Sequence, residues 1–466
     1  MDSTRREFLH RAIQLAIATS TLDLYLPRIA FADDKEKRAK GKGPGSTLVV
    51  IFLRGGCDPL NIVVPFGDPL YYKYRPTIQI APKDQGTERG AIALNKHFGF
   101  HPALEALMPL YEAGTLAPIL NVGSPHPSRS HFDCMDFMEY AAPGDRTVTQ
   151  GWLNRYLEGV AAAAERAAAD PDSRFRAVAM QGLLPRALRG AYPVLAVPPL
   201  REGGASDPLD AFDEVYIPAG GMPGEMEPPP AAPPGAPPKA DPRAPKPDPK
   251  APAPPAPPAE DPVLLSGRNT IEAIRRFREI VSKPAPGEKA GRYPQAPFGQ
   301  QLRQLARVIK ADCGLEVGCL DYHGWDHHAR EGGTDGVLAP MLKVLGDGLA
   351  AFAEDLGPER MARTIVLTMS EFGRTVEENG NAGTDHGHGG IMFALGGPVK
   401  GGKVFGTWPG LAKKDLFEER DLPATTDFRL VFGEVLEGVF GWRPPADFFP
   451  NYRLPKKYPL QLIKPG

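Results

Sequence analysis

The chain has 466 residues, of which 42% are hydrophobic and 24% charged, and its formal net charge is -2. That length suffices for one large or two ordinary domains, and the near-neutral charge excludes the basic face that nucleic-acid binding needs. Four scattered cysteines, Cys57, Cys134, Cys313 and Cys319, are too few for a disulfide scaffold. They read as small buried apolar residues, although in an exported chain Cys313 and Cys319 are the closest pair available for bridging.

The first segment carries an address. Thr4-Arg5-Arg6-Glu7-Phe8-Leu9 places two arginines before two large apolar residues. An alanine-rich, weakly apolar run follows from Ala12 to Leu26, then Ala30-Phe31-Ala32 and the charged Asp33-Asp34-Lys35. This order of basic, apolar and small-residue cleavage regions is that of a twin-arginine signal peptide over residues 1–32. The alternative is an amphipathic helix belonging to the mature fold. The expected partner is the twin-arginine translocase, which carries folded cargo, and the expected location is the periplasm or outside the cell. No other stretch reaches the roughly 18 apolar residues that span a bilayer, so no stable membrane anchor is expected. Residues 33–46, rich in Lys and Gly, read as a flexible linker.

The remainder alternates strand and helix. Thr47–Leu53 is a continuous apolar run of the kind buried on both faces of a parallel sheet. Leu116–Val122, Phe175–Gln181, Leu315–Leu320, Thr364–Met369 and Ile391–Leu395 read the same way. Helical patterns lie at Pro102–Ala113, Ser266–Val281, Gly299–Asp312 and Leu338–Asp355. Between about 217 and 262 the chain is mostly Pro, Ala, Lys and Asp, a composition that cannot bury enough apolar surface to order itself. The pattern predicts one α/β domain over residues 47–466 with a mainly parallel sheet, interrupted by that disordered insertion. In such sheets ligands bind beyond the carboxyl ends of the strands.

The predicted strand ends carry the chemistry. Arg54-Gly55-Gly56-Cys57-Asp58 follows the first strand, and Ser128-Arg129-Ser130-His131-Phe132-Asp133 leads into a helix. Asp321-Tyr322-His323-Gly324-Trp325-Asp326-His327-His328 follows a third strand. Ser370-Glu371-Phe372-Gly373-Arg374 follows a fourth, and Asp385-His386-Gly387-His388 comes shortly after. Seven of the ten histidines fall in three of these loops, which scattered core histidines would not do. Imidazole and carboxylate together suit Zn, Mn or Fe, and carboxylates alone would suit Mg or Ca. Each piece also has a structural reading: Ser130 as a helix cap, Asp58 as a turn cap, Arg54 and Arg374 as ion pairs, and Trp325 as packing.

These motifs, taken in order from Leu48 to Gly406, resemble those of the family labelled domain of unknown function 1501, whose members are typically twin-arginine-exported. That family is similar to the alkaline phosphatase-like superfamily, with a three-layer α/β/α fold and a two-metal site. The resemblance implies Asp58 as the first-strand metal ligand, Asp326 with His328 as a ligand pair, and Glu371, Asp385, His386 and His388 as the remaining ligands. It implies Ser130 as the nucleophile at a helix start and Arg129 as a holder of the anionic group. The chain departs from the superfamily pattern in one place: Glu371-Phe372 stands where Asp-His is usual, and the Asp-His pair comes fourteen residues later. Cys57-Asp58-Pro59-Leu60-Asn61 lacks the arginine of a formylglycine sulfatase. The expectation is an exported metal-dependent hydrolase of phosphate or sulfate esters, acting on a small anionic ester or a polysaccharide-type substrate. The alternative is a non-catalytic binding or assembly module that keeps the fold.

Overall fold

The structure, a computed structural model, describes residues 45–83, 89–164, 175–198 and 262–465. The expected signal peptide, nearly all of the expected linker and nearly all of the Pro/Ala-rich stretch therefore lie outside the described residues. Strands are β1 Thr47–Arg54, β2 Val63–Val64, β3 Ile92–Ala93, β4 Gly99–Phe100, β5 Leu116–Gly123, β6 Ala177–Ala179, β7 Leu195–Ala196, β8 Val317–His323, β9 Thr364–Met369, β10 Gly390–Gly396 and β11 Thr426–Asp427. The helices that matter below are α1 Pro59–Ile62, α2 Pro69–Tyr74, α3 Met108–Glu112, α4 His131–Tyr140, α5 Trp152–Ala164, α6 Pro262–Ser282, α7 Pro297–Lys310, α8 Leu338–Met361 and α9 Phe428–Phe440. Described residues up to 200 and from 276 onward form one compact unit; of residues 201–275 only the start of α6 is described.

Eight strands form the main sheet in the order β11-β5-β10-β9-β1-β8-β6-β7. β1 lies at its centre, paired in parallel with β8 and β9. Its residues Thr47 to Leu53 are all buried, which is why they read as an unbroken apolar run and not as alternation. β10 is the one reversed strand, antiparallel to both β5 and β9. Ile391–Leu395 is indeed a buried strand, but its direction is opposite to that of its neighbours. Polarity alone cannot set strand direction, because both faces of this strand are buried either way.

Alternate strand residues face two helical layers, giving three layers, α/β/α. Leu48, Val50 and Phe52 share a core cluster with Trp152 and Tyr156 of α5 and Val431 and Phe432 of α9. Trp152 stacks on Phe432 with ring centroids 4.1 Å apart. On the other face Gly318 of β8 meets Leu305 of α7, where a Cβ would come within 3.0 Å of the leucine methyls. α7 has Pro297 at its start, where a missing N–H costs nothing, and buries Leu302, Leu305 and Ile309 along one stripe.

The helical pattern at Pro102–Ala113 begins as a 3-10 turn, Pro102–Leu107, before α3; Pro109 removes a backbone donor from that join. Phe175–Gln181 pairs only over Ala177–Ala179. A small sheet, β2-β4-β3, adds to the predicted elements. None of the four cysteines is in a disulfide. Among the described residues no helix is long and apolar enough to cross a membrane.

Candidate metal centre

The parallel strands send their carboxyl ends to one edge of the sheet. Because β10 is reversed, the segment that precedes it, Asp385 to Gly389, arrives at that same edge. Loops after β1, β5, β8 and β9 and the loop before β10 thus meet there. Their close approach depends on glycine. Gly55 has φ +127, and a Cβ on it would lie 2.5 Å from the backbone nitrogen of Asp326; one on Gly387 would lie 2.3 Å from the carbonyl carbon of Arg374.

Four side chains converge at this edge. Asp326 Oδ1 lies 3.0 Å from His328 Nε2 and 3.2 Å from His386 Nε2, and Asp326 Oδ2 lies 3.4 Å from His131 Nε2. His328 Nε2 and His386 Nε2 are 3.0 Å apart. Among the described residues, His131, Asp326 and His386 offer ligand atoms that all lie within 4.8 Å of one another.

The opposite nitrogen of each ring fixes its tautomer. His131 Nδ1 lies 2.7 Å from Glu371 Oε1, His328 Nδ1 lies 2.8 Å from Asp385 Oδ1, and His386 Nδ1 lies 3.0 Å from the main-chain carbonyl of Arg129. Carbonyl and carboxylate oxygens only accept, so each Nδ1 donates, and in the neutral ring each Nε2 presents a lone pair. Three imidazole lone pairs therefore lie 3.0 to 3.4 Å from one carboxylate. Acceptors gathered this way repel unless a cation or shared proton lies among them. His131 Nε2 is buried without a hydrogen-bond partner. This donor set, with every imidazole held from behind by an oxygen acceptor, is chemically suited to a divalent metal.

The surrounding charges act differently on each group of the cluster. His131 is held above its ordinary pKa by its hydrogen bond to Glu371. His386 is pushed down, first by burial and then by the positive charges of His131 and Arg374. Burial alone would raise Asp326, but the hydrogen bond and charge of Arg374 outweigh it, and the carboxyl lies below its usual range. Arg374 is fully buried. It donates to Asp326 Oδ1 at 2.5 Å and to the carbonyls of Gly55, Gly56, Trp325 and Thr384. It is an ion pair, as the sequence allowed, and also ties three of the loops together. Arg54 is likewise structural, paired with Glu139 and Asp321, and Trp325 is fully buried.

The other candidates are placed as follows. Glu371 reaches the cluster through His131, and Asp385 through His328. Ser130 is the N-cap residue of α4, adjacent to His131, yet its hydroxyl makes no capping hydrogen bond. The guanidinium of Arg129 is paired with Asp421 at 2.6 Å and Glu418 at 2.7 Å. His388 is buried and stacks on Phe417 at 4.2 Å; burial and then Arg129 push its pKa down to about 4. Asp58 caps α1 and pairs with both terminal nitrogens of Arg75. Sequence reasoning left His131 out of the ligand set, although it stands in the histidine-bearing loop after β5 beside Ser130. The carbonyl of Arg129, a main-chain atom, carries no sequence signal for its role.

A family model described as "Protein of unknown function (DUF1501)" matches residues 282–443. That span contains Asp326, His328, Glu371, Asp385, His386 and His388, and leaves out Asp58, Ser130 and His131. No curated protein and no solved structure matches the chain.

Proposed function

We propose that this chain is an exported metal-dependent hydrolase of phosphate or sulfate esters, its ion held by His131, Asp326 and His386 with His328 beside them. The observation that carries the reading is the convergence of three imidazole Nε2 atoms on one carboxylate at the ligand-binding edge of an α/β sheet. A donor set this rich in imidazole favours Zn, Mn or Fe over Ca or Mg. A divalent ion there would polarise an ester oxygen and stabilise charge on the leaving oxygen. The chain's own groups supply the rest. Glu371, Asp385 and the Arg129 carbonyl hold the imidazoles in the tautomer that points Nε2 inward. Ser130 offers a hydroxyl free of capping duty at the start of α4, where the helix dipole favours developing negative charge. The twin-arginine segment would let the protein fold and take its ion before export. The substrate is then an anionic ester met in the periplasm or beyond.

A second reading, a non-catalytic exported module, draws support from Arg129. Its guanidinium is committed to Asp421 and Glu418, so it is not available as it stands to hold an anion. Hydrolysis of aryl phosphate and aryl sulfate by the zinc- or manganese-loaded protein separates the two. The hydrolase reading expects turnover that disappears in Asp326→Asn. A folded, metal-loaded protein inert toward both ester classes would favour the module.

A further inference from the structure

We infer that this centre takes one divalent ion per chain and that Asp58 stays outside its coordination, the buried guanidinium groups of Arg75 and Arg374 standing where further cations would otherwise be needed. The inference rests on the metal reading above and narrows it.

A second ion at this edge would need a carboxylate free to receive it; Glu371 and Asp385 stand behind His131 and His328, which leaves Asp58 after β1 and Asp326 and Glu331 after β8 to consider. Asp58, after β1, is 1% exposed. Its Oδ2 accepts from Arg75 Nη1 at 2.5 Å and from the backbone of Asn61 at 3.0 Å, and its Oδ1 accepts from Arg75 Nη2 at 2.8 Å. Arg75 is itself 0% exposed. Its remaining donors go to the carbonyls of Val376 and Thr375 and to the Asn61 side chain. A planar guanidinium bonded on both arms to one carboxylate is a strong, geometrically fixed pair. An ion could reach Asp58 only by evicting a buried arginine, leaving that charge unpaired, which is strongly unfavourable.

Glu331, fully buried close to this pair, accepts from the Thr384 hydroxyl at 2.6 Å. Burial and then the charge of Asp58 hold its carboxyl well above the usual range. Burial and the neighbouring Asp58 thus disfavour a second free negative charge at this place.

Asp326, after β8, is covered differently. Arg374 blocks the approach to Oδ1 on one side at 2.5 Å, and its other N–H groups are locked onto four main-chain carbonyls. That positive charge cannot swing away. A second dication brought to the same oxygen would meet a fixed guanidinium in a partly dehydrated site, where repulsion is weakly screened. What remains, among the described residues, is one group of ligand atoms near enough to share an ion, those of His131, Asp326 and His386, with His328 Nε2 3.0 Å from Asp326 Oδ1. The two-ion arrangement implied by the superfamily resemblance is thus reduced to one ion and one permanent organic cation.

The test is elemental analysis of the purified full-length chain after chelator stripping and dialysis against Zn2+, together with an anomalous difference map of zinc-loaded crystals. The expected result is one zinc per chain and one peak, bounded by His131, Asp326 and His386. Asp58→Asn should still bind one zinc, and Asp326→Asn none. Two zinc ions per chain, or any peak against Asp58, overturns the inference while leaving the metal reading intact. A wild-type protein that retains no zinc overturns the metal reading itself. The wild-type map decides the matter even where Asp58→Asn fails to fold.

Discussion

Glu371 is the most informative single position. Its Oε1 accepts from the backbone of Gly55 at 2.9 Å and from His131 Nδ1 at 2.7 Å, and its Oε2 receives the Ser370 hydroxyl at 3.1 Å. A glutamine can keep this pattern. Its carbonyl oxygen would serve Gly55 and His131, and its amide would donate to Ser370, whose proton then goes to the carbonyl of Leu53 at 2.8 Å. Glu371→Gln therefore removes charge without moving His131. Loss of an outer acceptor behind a ligating histidine weakens metal binding about 10- to 100-fold, and with geometry retained the lower end applies, about 1.4 kcal/mol. Glu371→Ala also strands two buried N–H donors. It should weaken zinc binding about 100-fold and destabilise the fold by about 1–3 kcal/mol per stranded group. Zinc affinity by competition with a chromogenic chelator, beside urea unfolding of the zinc-free protein, measures both. Equal zinc affinity in wild type, Glu371→Gln and Glu371→Ala would refute the idea that Glu371 aims His131 at an ion.

Three further substitutions address separate parts of the account. Ser130→Ala should leave zinc affinity unchanged and lower aryl-ester turnover on the order of a thousandfold or more, as expected for a nucleophile; full activity would instead assign attack to water. Gly387→Ala puts a Cβ 2.3 Å from the carbonyl carbon of Arg374 and should cost about 3 kcal/mol or more, a mechanism-specific clash; an unchanged melting temperature would contradict the crossing of these loops. Glu288 accepts from Arg303 and Arg307 at 2.6 and 2.7 Å. Burial acts to raise its pKa, yet the hydrogen bonds of the two arginines prevail and hold it at about 2. A depressed carboxyl stabilises the fold fully above its unfolded value of about 4.3 and loses that contribution as pH falls toward 2. Glu288→Gln should therefore flatten the stability profile between pH 5 and 2, and a profile parallel to wild type would exclude the assignment.

The sheet was legible because its central strands are buried on both faces, so β1, β5 and β9 announce themselves as apolar runs. The reversed direction of β10 was not, since a doubly buried strand carries the same pattern either way. That reversal matters to the site: it delivers Asp385 and His386 to the edge reached by the parallel strands. The clustering of histidines marked loops that meet at one edge of the sheet. It could not separate His386, which faces Asp326, from His388 two residues later, which packs on Phe417. Nor could it show that Asp58 is committed to Arg75, a pairing across 17 residues that only the turn through α1 and α2 creates. Carboxylates that bind an ion and carboxylates that bind arginine look alike in a sequence; the partner decides, and the partner is set by the fold.

The central claim is that His131, Asp326 and His386 form a divalent-metal site. Calorimetric titration of zinc into the chelator-stripped protein at neutral pH tests it most directly, in wild type, His131→Ala, His386→Ala and Asp326→Asn. Saturable binding is expected in the wild type, weakened at least about 100-fold by each substitution. Binding that is absent from the wild type, or that all three variants retain at full strength, would contradict it.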